Sequence, residues 1–158
     1  MPLICLETFI NASPHVVFDL SRSVDLHKAS MTHHKEEVVD GIKNGLMEMG
    51  DVVTWKATHL FKSRMLTVKI TALKKPLFFV DEMVAGDFKK MRHEHKFSAW
   101  HQGTLMLDRF YFETPFGVIG NLANYFFLKN YMTRLLAERN SMIKKIAESN
   151  QVKQYFNI

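Results

Sequence analysis

The segments KMRHEHKFSAW at residues 90–100 and TLMLDRFYFE at residues 104–113, joined by HQG at 101–103, decide the fold. Side chains of a strand alternate between its two faces, so residues two apart share one. In the first segment Arg92, Glu94, Lys96 and Ser98 lie on one face, and Met91, His93, His95, Phe97 and Ala99 on the other. The second face is the more apolar and is expected to point inward. A turn with an even number of residues makes odd positions of the first strand share a face with even positions of the second, adding Met106, Asp108, Phe110 and Phe112. His93, His95 and Asp108 then meet in an otherwise apolar wall; an odd-length turn separates them.

Working outward, strand-length segments recur at 52–60, 65–73 and 78–85, broken at Lys62-Ser63, Lys75-Pro76 and Gly86-Asp87. These links are too short for helical crossovers, so the strands form an antiparallel meander. Before them, residues 3–11 read as a strand, Ser13 as a helix cap followed by Pro14 in the first turn, and Ser23 as the cap of a second short helix reaching about Ser30. Residues 37–40 make one further short strand. Residues 119–148 carry apolar side chains at three- and four-residue steps (Ile119, Leu122, Phe126, Leu135, Leu136, Met142, Ile143, Ile146), the pattern of one long helix. The expected fold is α+β, with a curved antiparallel sheet of about six or seven strands wrapped around a long C-terminal helix and two short helices after the first strand. No repeat, linker or low-complexity stretch divides residues 1–158, which are read as a single domain.

Composition narrows the function. The chain has 158 residues and 21 Lys and Arg against 16 Asp and Glu, but its basic residues are scattered, so no nucleic-acid partner is expected. No apolar run approaches the roughly 20 residues of a spanning helix, because Lys129 and Arg134 interrupt the richest stretch, 119–136. The N-terminus lacks the pattern of a signal peptide, and Cys5 is the sole cysteine, so a reducing, cytoplasmic location is expected. Cys5 is read as a small buried apolar group. No phosphate loop, nucleophile elbow or His-Glu-x-x-His motif occurs, and no cofactor is called for.

Ser21-Arg-Ser-Val-Asp-Leu-His27, residues 50–59 (GDVVTWKATH), Arg92-His-Glu-His-Lys-Phe97, Gly103-Thr104, Asp108, Pro115-Phe-Gly117 and Arg139-Asn140 stand in the order found in bacterial START-like proteins. Over nearly its whole length the chain resembles the SRPBCC superfamily, which includes birch-pollen-allergen proteins, polyketide cyclases and coenzyme-Q-binding proteins. The resemblance implies a helix-grip fold with a deep, mostly apolar cavity between sheet and C-terminal helix. It assigns no catalytic residue.

Strand alternation across 52–60 puts Trp55 and His59 on one face, so the expected ligand-binding wall is Trp55, His59, His93, His95, Asp108 and Phe110. Phe116 and Ile119, between Gly117 and Gly120, are expected to gate the cavity mouth. A His–Asp pair in such a wall anchors a polar headgroup, works as acid and base, or simply satisfies itself. His93-x-His95, with His59 or Asp108, also has the spacing of a metal pair, but strand alternation gives the same spacing and no metal is expected. His33-His34 is read as a solvated loop pair whose rings point apart. The expected function is to hold a small hydrophobic molecule (lipid, isoprenoid or polycyclic compound) as carrier or sensor; the alternative is a polyketide cyclase or dehydratase using His/Asp acid–base chemistry. The apolar 116–132 stretch leaves a transient membrane contact or a homodimer open.

Overall fold

The computed structural model describes residues 3–114 and 122–156. Seven strands, β1 (Leu3–Ile10), β2 (Glu37–Gly41), β3 (Val52–His59), β4 (Lys62–Lys74), β5 (Phe78–Ala85), β6 (Lys90–Trp100) and β7 (Gly103–Glu113), form one antiparallel sheet. Its order is β1-β7-β6-β5-β4-β3-β2, so every neighbour from β2 to β7 is also a neighbour in sequence and β1 closes on the far edge. Helices α1 (Pro14–Ser21) and α2 (Val24–Ser30) follow β1, and α3 (Leu122–Ala147) ends the chain before a short turn at Val152–Tyr155. This is the α+β helix-grip fold expected from the sequence.

Local chemistry explains the helix starts. Ser13 Oγ accepts the Val16 N–H and Pro14 occupies the first turn of α1; Ser23 Oγ accepts the Leu26 N–H at 3.2 Å and caps α2. Helix α1 buries Val17, Phe18 and Leu20, and Phe18 meets the edges of Phe79 and Phe97 at 5.7 and 5.4 Å between ring centroids. Helix α3 packs on β1, α1 and α2 and buries Leu136, Ile143 and Ile146 at helical spacing. In its first half Leu128 and Met132 pack against the core, whereas Phe126, expected on the buried face, is exposed, as is Phe127. The described part of the helix starts three residues after Ile119, which lies outside the described residues.

The decisive hairpin forms with an even turn. Trp100 pairs with Gly103, leaving His101 and Gln102 between, and His95 pairs with Asp108 as His93 pairs with Phe110. Gly103 also lies where β1 crosses β7, and a Cβ there would sit 2.3 Å from the carbonyl oxygen of Ile10. Cys5 corrects an expectation: it is exposed, because the alternation of β1 turns Ile4 and Ile10 inward and Cys5 to the outer face. Among the described residues, no helix is long and apolar enough to cross a membrane.

Candidate ligand cavity with a buried histidine and carboxylate base

The sheet, α1, α2 and α3 enclose a cavity in two adjoining lobes. The inner lobe, about 170 Å³, runs between apolar walls such as Val68, Ile70 and Met91 down to Asp81, His93, His95 and Arg139. The outer lobe, about 310 Å³, is bounded by Ala57, Leu60, Met65, Leu128 and Tyr131. Trp55, His59, Glu36, Leu66, Phe88, Met132 and Leu135 border both, so the two lobes lie side by side. The outer lobe alone reaches the lower end of the range for small-molecule sites, roughly 300–1,000 Å³.

Asp108, 1% exposed, organises the base of the inner lobe. Its Oδ1 is 2.9 Å from His93 Nε2, and its Oδ2 accepts the Asn140 side-chain N–H at 2.7 Å. An ionised carboxylate only accepts, so His93 donates its Nε2–H. On the other side His95 Nε2 donates to Asp81 Oδ2 at 2.8 Å, while His95 Nδ1 lies 3.0 Å from Asp108 Oδ1 without an aligned hydrogen bond. The two imidazoles lie tilted against each other with centroids 3.7 Å apart, and His95 stacks on Phe79 at 4.1 Å. Arg139 donates to the Ser21 carbonyl at 2.8 Å and stands 3.7 Å from Asp108.

These contacts set the charges. Burial alone would raise the Asp108 carboxyl, but the hydrogen bond from His93 and the close imidazole of His95 outweigh it and hold Asp108 well below the usual carboxylate range. Asp81 is lowered in the same way: its burial opposes the shift, and the hydrogen bond from His95 prevails. Burial, followed by repulsion from His95, pushes His93 down to about 4 against the pull of Asp108. His93 is therefore neutral near pH 7 and pairs with an ionised aspartate.

The residues expected from the sequence fall into four places. Trp55, His59, His93, His95 and Phe110 border the cavity, and Phe110 meets His93 edge-on at 5.3 Å. Asp108 sits behind the histidines and does not line either lobe. His59, at the rim, bonds the Tyr131 hydroxyl at 2.9 Å and is lowered by burial and then by repulsion from His34. Phe116 and Ile119 lie outside the described residues. The expectation for His33 and His34 is corrected: their rings are 4.2 Å apart, because the turn Thr32–His34 lies between α3 and β3 and both side chains turn to Glu138.

Asp81, Arg139 and Asn140 were not singled out as site residues. Asp81 follows Phe79 on the inward face of β5, and its partner residue on β6 is His93. The β5–β6 register is regular across it, so alternation along β5 from Phe79 was the signal that could have found it. Arg139 and Asn140 carried a signal too. They interrupt the stripe Leu136, Ile143, Ile146 with polar residues that are themselves buried, 6% and 2% exposed.

No protein-family profile matches the sequence, and no curated protein does. The fold matches solved structures at low sequence identity. TTHA0849 from Thermus thermophilus is 18% identical with a TM-score of 0.70, over 90% of this chain and 97% of that one. Major latex-like protein 151 from Panax ginseng is 14% identical with a TM-score of 0.67, over 94% and 98%. The di-domain ARO/CYC protein StfQ, from the steffimycin biosynthetic pathway, is 12% identical with a TM-score of 0.73, over 92% of this chain and 50% of that one. The likeness to START-like proteins read from the sequence thus holds at the level of the fold.

Proposed function

We propose that the protein binds one small, mainly hydrophobic molecule in this cavity, as a carrier or sensor, with an oxygen function of that molecule placed at Asp81, His93 and His95. One observation carries the reading: a largely apolar cavity ends on a cluster of fixed hydrogen-bonding groups. Apolar walls supply affinity through burial, and a few oriented polar groups supply orientation and selectivity. A lipid, isoprenoid or polycyclic compound bearing a hydroxyl group suits that division, because the Nε2–H groups of His93 and His95 are already given to Asp108 and Asp81 and the cluster has acceptors to offer. The single cysteine of the chain suits work in the reducing cytoplasm.

Native mass spectrometry of freshly purified protein, followed by denaturing extraction, tests the reading by capturing a retained compound at one per chain. Screening follows Trp55, since it borders both lobes while Trp100, the other tryptophan, is 52% exposed. A bound ligand is expected to change the emission of the parent protein and of Trp100→Phe, but not of Trp55→Phe. An emission change that persists in Trp55→Phe and vanishes in Trp100→Phe puts the ligand outside the cavity and sinks the proposal.

A second reading is favoured by the neutral His93 held by an ionised aspartate, the arrangement of a general base with its orienting carboxylate, together with the likeness to the ARO/CYC protein. In it the cavity holds a polyketide-like substrate for cyclisation or dehydration. Turnover that survives His93→Gln and His95→Gln together removes this reading.

A further inference from the structure

Three groups from two distant parts of the chain, adjacent His33 and His34 and the far Glu138, converge beside the cavity rim, away from the buried base. His33 Nε2 is 2.9 Å from Glu138 Oε2, and His34 Nε2 is 3.9 Å from that same oxygen. One donor atom from each residue lies within 4.8 Å of the others. His34 in turn packs at a tilt against His59, 4.7 Å between ring centroids, and His59 is held by the Tyr131 hydroxyl at 2.9 Å. Ion pairing explains this grouping poorly. Glu138 and His33 are about half exposed, where a pair adds little stability, and His34 is too far from the oxygen for a hydrogen bond.

Metal coordination explains it better. A zinc ion held tetrahedrally at about 2.0–2.1 Å from its donors keeps them about 3.3–3.4 Å apart. The two distances to Glu138 Oε2, 2.9 and 3.9 Å, bracket that separation. Two imidazoles and one carboxylate are the donors of open zinc sites, whose fourth position takes water or another small ligand. The imidazole of His59, packed behind His34 and fixed by Tyr131, limits how far the His34 ring swings.

We infer that His33, His34 and Glu138 form a site for one divalent transition-metal ion of the zinc class at the rim of the cavity. The ion ties the turn Thr32–His34 to α3, next to the residues His59 and Tyr131 that border the outer lobe. The inference does not depend on what the cavity binds.

Zinc titration of the full chain by calorimetry, after chelator treatment and dialysis, tests it, with Co²⁺ absorption as a second probe. One equivalent per chain is expected, with tetrahedral-type Co²⁺ bands and a melting temperature that rises with zinc. His33→Ala and Glu138→Gln are each expected to weaken zinc binding by about tenfold or more, at least the loss seen for outer-sphere partners. Both positions are exposed, so folding is checked by circular dichroism. A variant-free check is the histidine NMR spectrum of the parent protein, where zinc should move the His33 and His34 signals. Absence of binding at millimolar zinc overturns the site. Undiminished binding in both variants, or shifts confined to His93 and His95, does so as well, the latter assigning the ion to the other donor group, Asp81 with those two histidines.

Discussion

Asp108→Ala is expected to destabilise the fold by about 3–5 kcal/mol, the usual cost of removing one partner from a buried charged network. Asp108 accepts from His93 at 2.9 Å and from Asn140 at 2.7 Å, and Arg139 stands 3.7 Å away. Both donors are buried, and the substitution leaves them in a dry interior without their acceptor and Arg139 without its counter-charge. The network spans β7, β6 and α3, so the loss acts on the grip of the helix on the sheet. Asp108→Asn keeps the volume but puts an amide N–H₂ where one acceptor oxygen stood. It is expected to lose stability too, though less. Urea denaturation near pH 7 measures both, and a loss under about 1 kcal/mol for the alanine variant would show that water replaces the carboxylate at low cost.

Acid is expected to weaken the protein well before carboxylates begin to protonate. His93 has a pKa of about 4 in the folded protein against an ordinary 6.5, so between these values the unfolded chain takes up a proton that the folded one refuses. Stability is full above about 6.5 and declines toward pH 4, by about 3 kcal/mol in all at 1.36 kcal/mol per unit. Asp108 and Asp81 are shifted in the same direction and act at lower pH. Their carboxyls are lowered in the fold, so their contribution is present above the ordinary value of 3.8 and is lost as pH falls through the lowered values. The two effects succeed one another and give a continuous decline on the acid side. Guanidinium denaturation at pH 7, 5.5 and 4 follows it, and His93→Gln, whose amide can still donate to Asp108, should flatten the upper part of the slope. Equal stability at pH 7 and 4.5 in the parent protein would exclude a buried neutral His93.

The hairpin of β6 and β7 shows how far a linear pattern reaches. Strand alternation and an even turn were enough to bring His93, His95 and Asp108 to one face, because side-chain direction in a strand depends only on parity. The serine caps and Pro14 likewise act through neighbours within four residues. Asp81 was within reach of the same reasoning, since it shares the inward face of β5 with Phe79 and the β5–β6 register runs without a shift. Asp108 was legible as a partner of the histidines, while its position behind them needed the arrangement of α3.

The antiparallel meander from β3 to β7, the two short helices and the inward pair of β6 and β7 followed from the sequence by itself, through periodicity, caps and short links. Only the tertiary structure decided that Asn140 and Arg139 close the network on Asp108, that the cavity divides into two lobes, and that His33 and His34 turn to Glu138 across 105 and 104 positions. Contacts of that separation depend on how a helix sits on a sheet. That placement is set by the packing of the whole core, and no local run of residues encodes it.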